Sequence, residues 1–299
     1  MSVYQFLDWV KYLLFPFPNY LKKMGYIREM KALKARRNRC KTAWSPHIEC
    51  SKALILEAAG NCNQKRKALI VGSGLLFDIP LKDLCKLFDN VVLVDIVHLW
   101  KVHVQASLYP NIKMESLDVS GVADRIFNLQ RNEDLTSIQQ PQLDYFLGEQ
   151  FDLVVSVNIL SQLPVLPIRY FSRMSRSVKD EQLETFSRTL LENHLDWISS
   201  FSGVVGLITD LERLQYRGKE LVRRESSLWG ITLPPGYKQW FWDLAPSPEI
   251  DFCIDIRHLV AGYINFPKQV WLERNRKQST RSGDNKSIKQ LRQVDTIQD

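Results

Sequence analysis

The chain has 299 residues, 45% of them hydrophobic, and a formal net charge of +7; that length and apolar content bury one large core or two modest ones. The charge is uneven. Residues 1–41 carry ten Lys/Arg against Asp8 and Glu29 (+8), residues 42–267 carry 22 against 27 (−5), and residues 268–299 carry eight against four (+4). A sequence pI near 9.1 therefore does not make the middle of the chain a nucleic-acid binder. In chain order, Val3, Phe6, Leu7, Val10, Leu13 and Leu14 fall at helical spacing, and Pro16 and Pro18 end that amphipathic helix. Asp8 and Lys11 interrupt its apolar run, so it is not expected to be a secretory signal. No run has the length needed to span a bilayer. Residues 19–41 read as a basic helix, and residues 51–59 as a further helix capped by Ser51.

The rhythm then changes to short β-branched runs alternating with helical patterns. Strands are expected at 67–72, 90–95, 111–117, 151–159 and 203–209, with helices at 78–88, 97–108, 119–130 and 181–200 between them. Strands apolar throughout and separated by helices predict a parallel sheet covered on both faces. Residues 237–242 and 250–261 have no helical pattern between them and read as an antiparallel pair closing the sheet edge. From residue 268 the chain turns polar, which predicts a disordered tail. Five cysteines (Cys40, Cys50, Cys62, Cys85, Cys253) with no CxxC spacing read as reduced thiols of a cytosolic protein.

The first strand breaks into Gly72-Ser73-Gly74. Two close glycines let a backbone approach a ligand without a Cβ in the way, and ligands of doubly wound sheets sit at the carboxyl ends of the strands. Asp78 is expected to cap the next helix, with Pro80 in its first turn. Asp95 ends the second strand, where a carboxylate can accept both hydroxyl protons of a ribose or cap a helix. Asp118 follows the third strand, placed either to accept from an adenine amino group or to act as an N-cap; Ile96 and Val119 offer apolar faces to a ring. His98, three residues after Asp95, falls close by.

On Gly72-Ser73-Gly74, Asp95, Asp118, the stretch Phe151–Pro164 and the closing pair at 237–261, residues 42–262 resemble the class I S-adenosylmethionine-dependent methyltransferases. The resemblance implies an α/β fold: a three-layer Rossmann-like sheet with a closing antiparallel hairpin, here with an N-terminal helical extension. It implies S-adenosylmethionine as cofactor, held by Gly72, Ser73, Gly74, Asp95, Ile96, Asp118, Val119 and Asn158. Two letters depart from the family's loop: Ile70 stands where an acid is usual, and Leu76 where a third glycine is usual. A nicotinamide-dependent oxidoreductase is the competitor, but its third glycine would fall at Phe77. A catalytically inactive Rossmann-like binding protein is a further alternative.

Asn158, Ser161 and Gln162 follow the fourth strand, beside the transferred methyl in that family. Three polar groups so near an apolar strand need partners, which a site or ordinary loop capping can supply. The Asn-Pro-Pro-aromatic motif of enzymes that methylate adenine amino groups is missing. Asp210 and Glu212 follow the fifth strand, as candidate bases or as a solvated helix start. Trp240 and Trp242 share one strand face, as a substrate wall or as core. His47, ending the basic arm, is able to fold over the site, and His194 is expected to be satisfied at a helix contact. His47 and Asp210 are the candidate proton acceptors. No histidine pair has metal-ligand spacing, so no metal is expected. The expected units are the extension 1–41, the domain 42–267 and the tail 268–299. The expected partner is a small or medium-sized, partly apolar substrate, with RNA or an anionic membrane surface as alternative partners of residues 19–41.

Overall fold

The computed structural model describes residues 17–129, 135, 138, 142–174 and 179–274. The amphipathic helix expected at 3–15 and the tail beyond 274 lie outside the described residues. The basic arm is two helices, α1 (Asn19–Met24) and α2 (Tyr26–Arg39), because Gly25 at φ +95° ends the first and turns its N–H back onto Leu21 and Lys22. A third helix, α3 (Lys41–Gly60), replaces the short one expected at 51–59. Ser51 is therefore a buried interior residue and not a cap. Pro46 lies one turn inside α3, where its missing N–H removes a single internal hydrogen bond. The arm does not stand apart from the domain: Met24 belongs to the main core, and Leu21 and Ile27 pack on Val97.

The α/β alternation follows, as β1 (Lys67–Val71), α4 (Leu81–Leu87), β2 (Asn90–Asp95), α5 (Trp100–Ala106), β3 (Ile112–Ser116), α6 (Ala123–Asn128), β4 (Leu153–Val157), α7 (Val165–Met174), α8 (Asp180–Ser199) and β5 (Val204–Arg217). The chain closes with β6 (Glu220–Ser226), β7 (Lys238–Ala245) and β8 (Asp255–Tyr263). The eight strands form one sheet in the order β3-β2-β1-β4-β5-β8-β7, with β6 paired to β5. β1 to β5 pair in parallel, and β6, β7 and β8 are antiparallel to their neighbours. Two apolar clusters fill the two faces. One joins Leu69, Val71, Val154 and Val205 to α6, α7 and α8; the other joins Ile70, Val155, Ile208 and Val260 to α3, α4 and α5. The fold is thus the three-layer Rossmann-like α/β sheet, with its closing antiparallel strands, that the sequence implies.

Three boundaries differ from expectation. α4 begins at Leu81 with Pro80 as its N-cap, and no side chain caps it. Asp210 and Glu212 do not begin a helix: β5 runs on for eight residues past Thr209 and turns back into β6, carrying Glu212–Arg224 and Arg213–Glu225 pairs. Residues 268–274 are helical, with Trp271 buried and its Nε1 donating to Asp196.

Candidate functional site

Strand order reverses between β1 and β4, so the crevice of this sheet opens past Val71 and Val157. The turn leaving β1 is pinned to β2 by the Gly72 and Ser73 amides, which donate to Val94 O at 2.9 and 3.0 Å. Gly72 sits at φ +80°, and a Cβ there would lie 2.5 Å from Val157 O and 2.9 Å from Ile159 Cβ. This glycine is demanded by the neighbouring strand end. Gly74 differs: at φ +48° a Cβ would meet nothing nearer than 3.8 Å, and its N–H donates to Asp95 Oδ2 at 2.8 Å. Leu76, at the family's third-glycine position, adopts φ +62°, the left-handed region that glycine normally fills. The backbone therefore keeps the glycine-type path although the letter has changed.

Asp95 is buried and also accepts from the Val97 amide at 3.2 Å. Burial pushes its carboxyl up to about 6, against the pull of these backbone N–H groups. His98 spans the layer beneath, with Nε2 3.0 Å from Ser73 Oγ and Nδ1 3.3 Å from Ser116 Oγ; burial lowers it to about 4. Asp118 uses both oxygens as a cap: Oδ1 accepts from the Ser120 amide and hydroxyl (2.9 and 2.6 Å), and Oδ2 from the Ala123 amide (2.8 Å). Val119 is buried in the core and Ile96 is half-buried. Leu21 and Ile27 of the arm, with Tyr20 and Tyr26, pack where Ile96 and Val97 leave β2. Burial, then the nearby Asp118 carboxylate, raises the Tyr26 phenol well above its usual value. The arm thus covers the β2 end of the crevice.

A second polar group lies past β4 and β5. Asn158 holds φ +51°, a left-handed setting that asparagine adopts more readily than most residues, and its Nδ2 donates to Asp78 Oδ2 at 2.6 Å. Asp78 is consequently a partner of Asn158, not the helix cap expected; desolvation raises its carboxyl above the ordinary range. Asn158 Nδ2 also lies 3.2 Å from His47 Nε2. The His47 ring stacks on Trp242 at 4.1 Å and 8°, and its Nδ1 accepts from Trp240 Nε1 at 3.0 Å. An indole N–H only donates, so the neutral ring carries its proton on Nε2, facing the amide. Both imidazole nitrogens thus face groups of the protein. Burial holds His47 down to about 4.

Asp210, the other candidate acceptor, is buried on β5 next to a β-bulge between Asp210 and Glu212, a device that re-aims side chains. Its Oδ2 accepts from Ser161 Oγ at 3.2 Å and lies 3.0 Å from His258 Nδ1. Burial alone would raise this carboxyl, but His258, His47 and Ser161 outweigh burial and hold it below the usual range. Its Oδ1 has no partner among the described residues. Gln162 is exposed on the turn that carries Ser161. Trp242 is core, edge-on to Trp44 at 4.9 Å, while Trp240 is half-buried.

The sequence reading passed over His258 and misread Asp78. For His258 the signal was period-two alternation in Ile256-Arg-His-Leu-Val260, which puts a histidine on the apolar face. His194 bonds Ser156 Oγ of β4 at 2.9 Å, so its contact is with the sheet and not another helix. Among the described residues no group of three His, Cys, Asp or Glu has a metal-holding arrangement, and no helix is long and apolar enough to cross a membrane. A separate polar cleft of about 380 Å³, lined by Arg66, Asp152, Gly203 and Lys268 among others, opens at the amino ends of β1, β4 and β5. That is the opposite edge from the residues above.

No protein-family model matches the chain, and no curated protein does. Solved structures similar to it include an S-adenosylmethionine-dependent methyltransferase from Leishmania major (15% identity, 80% of this chain and 82% of that one, TM-score 0.35). Another is the N-methyltransferase NodS from Bradyrhizobium japonicum with S-adenosyl-L-homocysteine (12%, 73% and 86%, TM-score 0.31). A third is the 1,6-didemethyltoxoflavin-N1-methyltransferase from Burkholderia thailandensis (11%, 79% and 89%, TM-score 0.31). These likenesses carry no residue role across to this chain.

Proposed function

We propose that this chain is an S-adenosylmethionine-dependent methyltransferase of a small or medium-sized, partly apolar molecule. The observation that carries the reading is the turn after β1. Three left-handed positions, Gly72, Gly74 and Leu76, lie at the switch point of the sheet, with the open one, Gly74, tied to Asp95. Room for a Cβ at Gly74 is room for a ligand to approach the backbone, and Asp95 is desolvated in a way that hydroxyl donors would relieve. Gly74, Asp95 and Ile96 would hold the cofactor, with Asn158 at its reactive end and Asp118 capping the helix behind them. When bound, the cofactor supplies an activated methyl group with a neutral leaving group. The chain's task is then orientation and exclusion of water, which places two reactants in line.

The arm suits that task. Arg36 and Arg39 are engaged with Glu249 at 3.5 and 2.6 Å, and Arg37 lies over the Phe77 ring at 5.0 Å. Three of the nine basic side chains of residues 19–41 thus dock the arm to the domain, which favours a lid over an RNA-binding arm. Phe77 also fills the place where a nicotinamide loop needs its last glycine.

Titration calorimetry tests the reading. S-adenosylmethionine and S-adenosylhomocysteine are expected to bind in the micromolar range, about 8 kcal/mol, and Asp95→Ala to abolish binding. Binding of NADH in their place would hand the site to the oxidoreductase reading; binding of none of these would leave a cofactor-free protein.

A further inference from the structure

The Asp210 carboxylate is almost fully enclosed, its side chain 4% exposed. Buried carboxylates are normally matched by a lysine or arginine, because an unmatched buried charge costs several kcal/mol. Here the groups acting on it are two imidazoles and a hydroxyl: His258, His47 and Ser161. His47 gives no positive charge at neutral pH, since burial holds it down to about 4. One carboxylate oxygen, Oδ1, and one imidazole nitrogen, His258 Nε2, are buried without a partner among the described residues. Two unpaired acceptor positions, one of them on a carboxylate, describe a receptor for an N–H donor such as an ammonium.

We propose that Asp210 and His258 recognise an amine nitrogen of the substrate and that this nitrogen is the atom methylated. The proposal rests on the methyltransferase reading for its second half only. The substrate arrives as an ammonium held by Asp210 Oδ1. His258 Nε2 takes one proton, and Asp210 Oδ2 beside Nδ1 stabilises the imidazolium formed, a base oriented by a carboxylate. The freed lone pair forms the N–C bond as the C–S bond of the methyl donor breaks, its electron pair going to sulfur. The product leaves as a methylammonium, and the proton on His258 returns to solvent.

The test compares 2-phenylethylamine with 2-phenylethanol, matched in shape, by calorimetry on the full chain with and without S-adenosylhomocysteine. The amine is expected to bind at least tenfold more tightly. In Asp210→Asn the two are expected to bind alike, while S-adenosylhomocysteine binds as before. Equal binding of the two probes to the unaltered chain would overturn the proposal, as would an amine preference that survives in Asp210→Asn. Should that variant fail to fold, the unaltered chain still decides, and His258→Gln supplies the second variant, expected to weaken the amine preference. Failure of S-adenosylhomocysteine to bind would sink the methyltransferase reading and leave the amine site to its own result.

Discussion

The two halves of the crevice treat their polar groups differently. At the ends of β1, β2 and β3, both oxygens of Asp95 and of Asp118 and both ring nitrogens of His98 are engaged. At the ends of β4 and β5, Asp210 Oδ1, His258 Nε2 and Trp242 Nε1 are buried without partners among the described residues. Unpaired buried groups are rare because each costs about 1–3 kcal/mol. The first half is shaped by its own hydrogen bonds, which suits a constant cofactor. The second withholds its bonding capacity, which suits a site whose partner changes from amine to methylated amine.

The sharpest way to break this comparison is at the two glycines that join the halves. Gly72→Ala drives a Cβ to 2.5 Å from a strand carbonyl at a φ that alanine resists, and main chain cannot step aside. We expect a loss on the order of 4 kcal/mol, read as a collapse of the urea midpoint. Gly74→Ala meets only ordinary contacts, so it should cost about 1 kcal/mol yet block cofactor binding in calorimetry. If both variants fold equally well, Gly72 is not the joint described.

Acid should expose the histidines that both halves bury neutral. His47 and His98 titrate near 4 and His194 near 3, against an ordinary 6.5, so below 6.5 the unfolded chain binds more protons than the folded one. Stability present above pH 6.5 is lost as pH falls towards 4, by about 3 kcal/mol for each of His47 and His98. Asp95, raised to about 6, and Asp78 and Glu192, also raised, work in the other direction, while Asp152, Asp210 and Glu249, held low, work with the histidines. Urea unfolding from pH 7 to 4.5 reads the slope, and His98→Asn should flatten it. A level profile across that range would refute the buried-neutral assignment.

A milder probe is Asp118→Ala. It removes acceptors for the Ser120 and Ala123 amides and should cost about 1–2 kcal/mol, as a lost cap does. Thermal melting measures it; a loss near zero would mean that Asp118 is free for a ligand after all.

Much of the sheet was legible because its strands are apolar on both faces, as in Val91-Val-Leu-Val94, and such runs have few other homes. The β5–β6 extension was not: LERLQYRGKELVRRES alternates weakly and half of it is charged, since it lies where little buries it. Asp95 and the glycines were found from their place after strands. His258 and Asp78 were missed because their meaning is set by partners 48 and 80 residues away, Asp210 and Asn158, a distance that no local pattern spans. Ser51 was misread for the related reason that a cap and a buried helix serine look alike until the helix start is known.

The smallest expected effect tests the turn itself. Leu76 is 8% exposed and packs in the α3-side core while its backbone holds φ +62°, costing about 1 kcal/mol for a side chain with a Cβ. Leu76→Ala forfeits the buried side chain, about 2–3 kcal/mol, and keeps that backbone cost. Leu76→Gly forfeits the same side chain but releases the backbone. In ordinary positions glycine is the worse replacement by about 0.5–1 kcal/mol. Here the order should invert, with Leu76→Gly the more stable of the two by up to about 1 kcal/mol in paired urea titrations. Leu76→Ala proving the more stable variant would mean that the leucine sits there at ease and that the loop has left the glycine-type path.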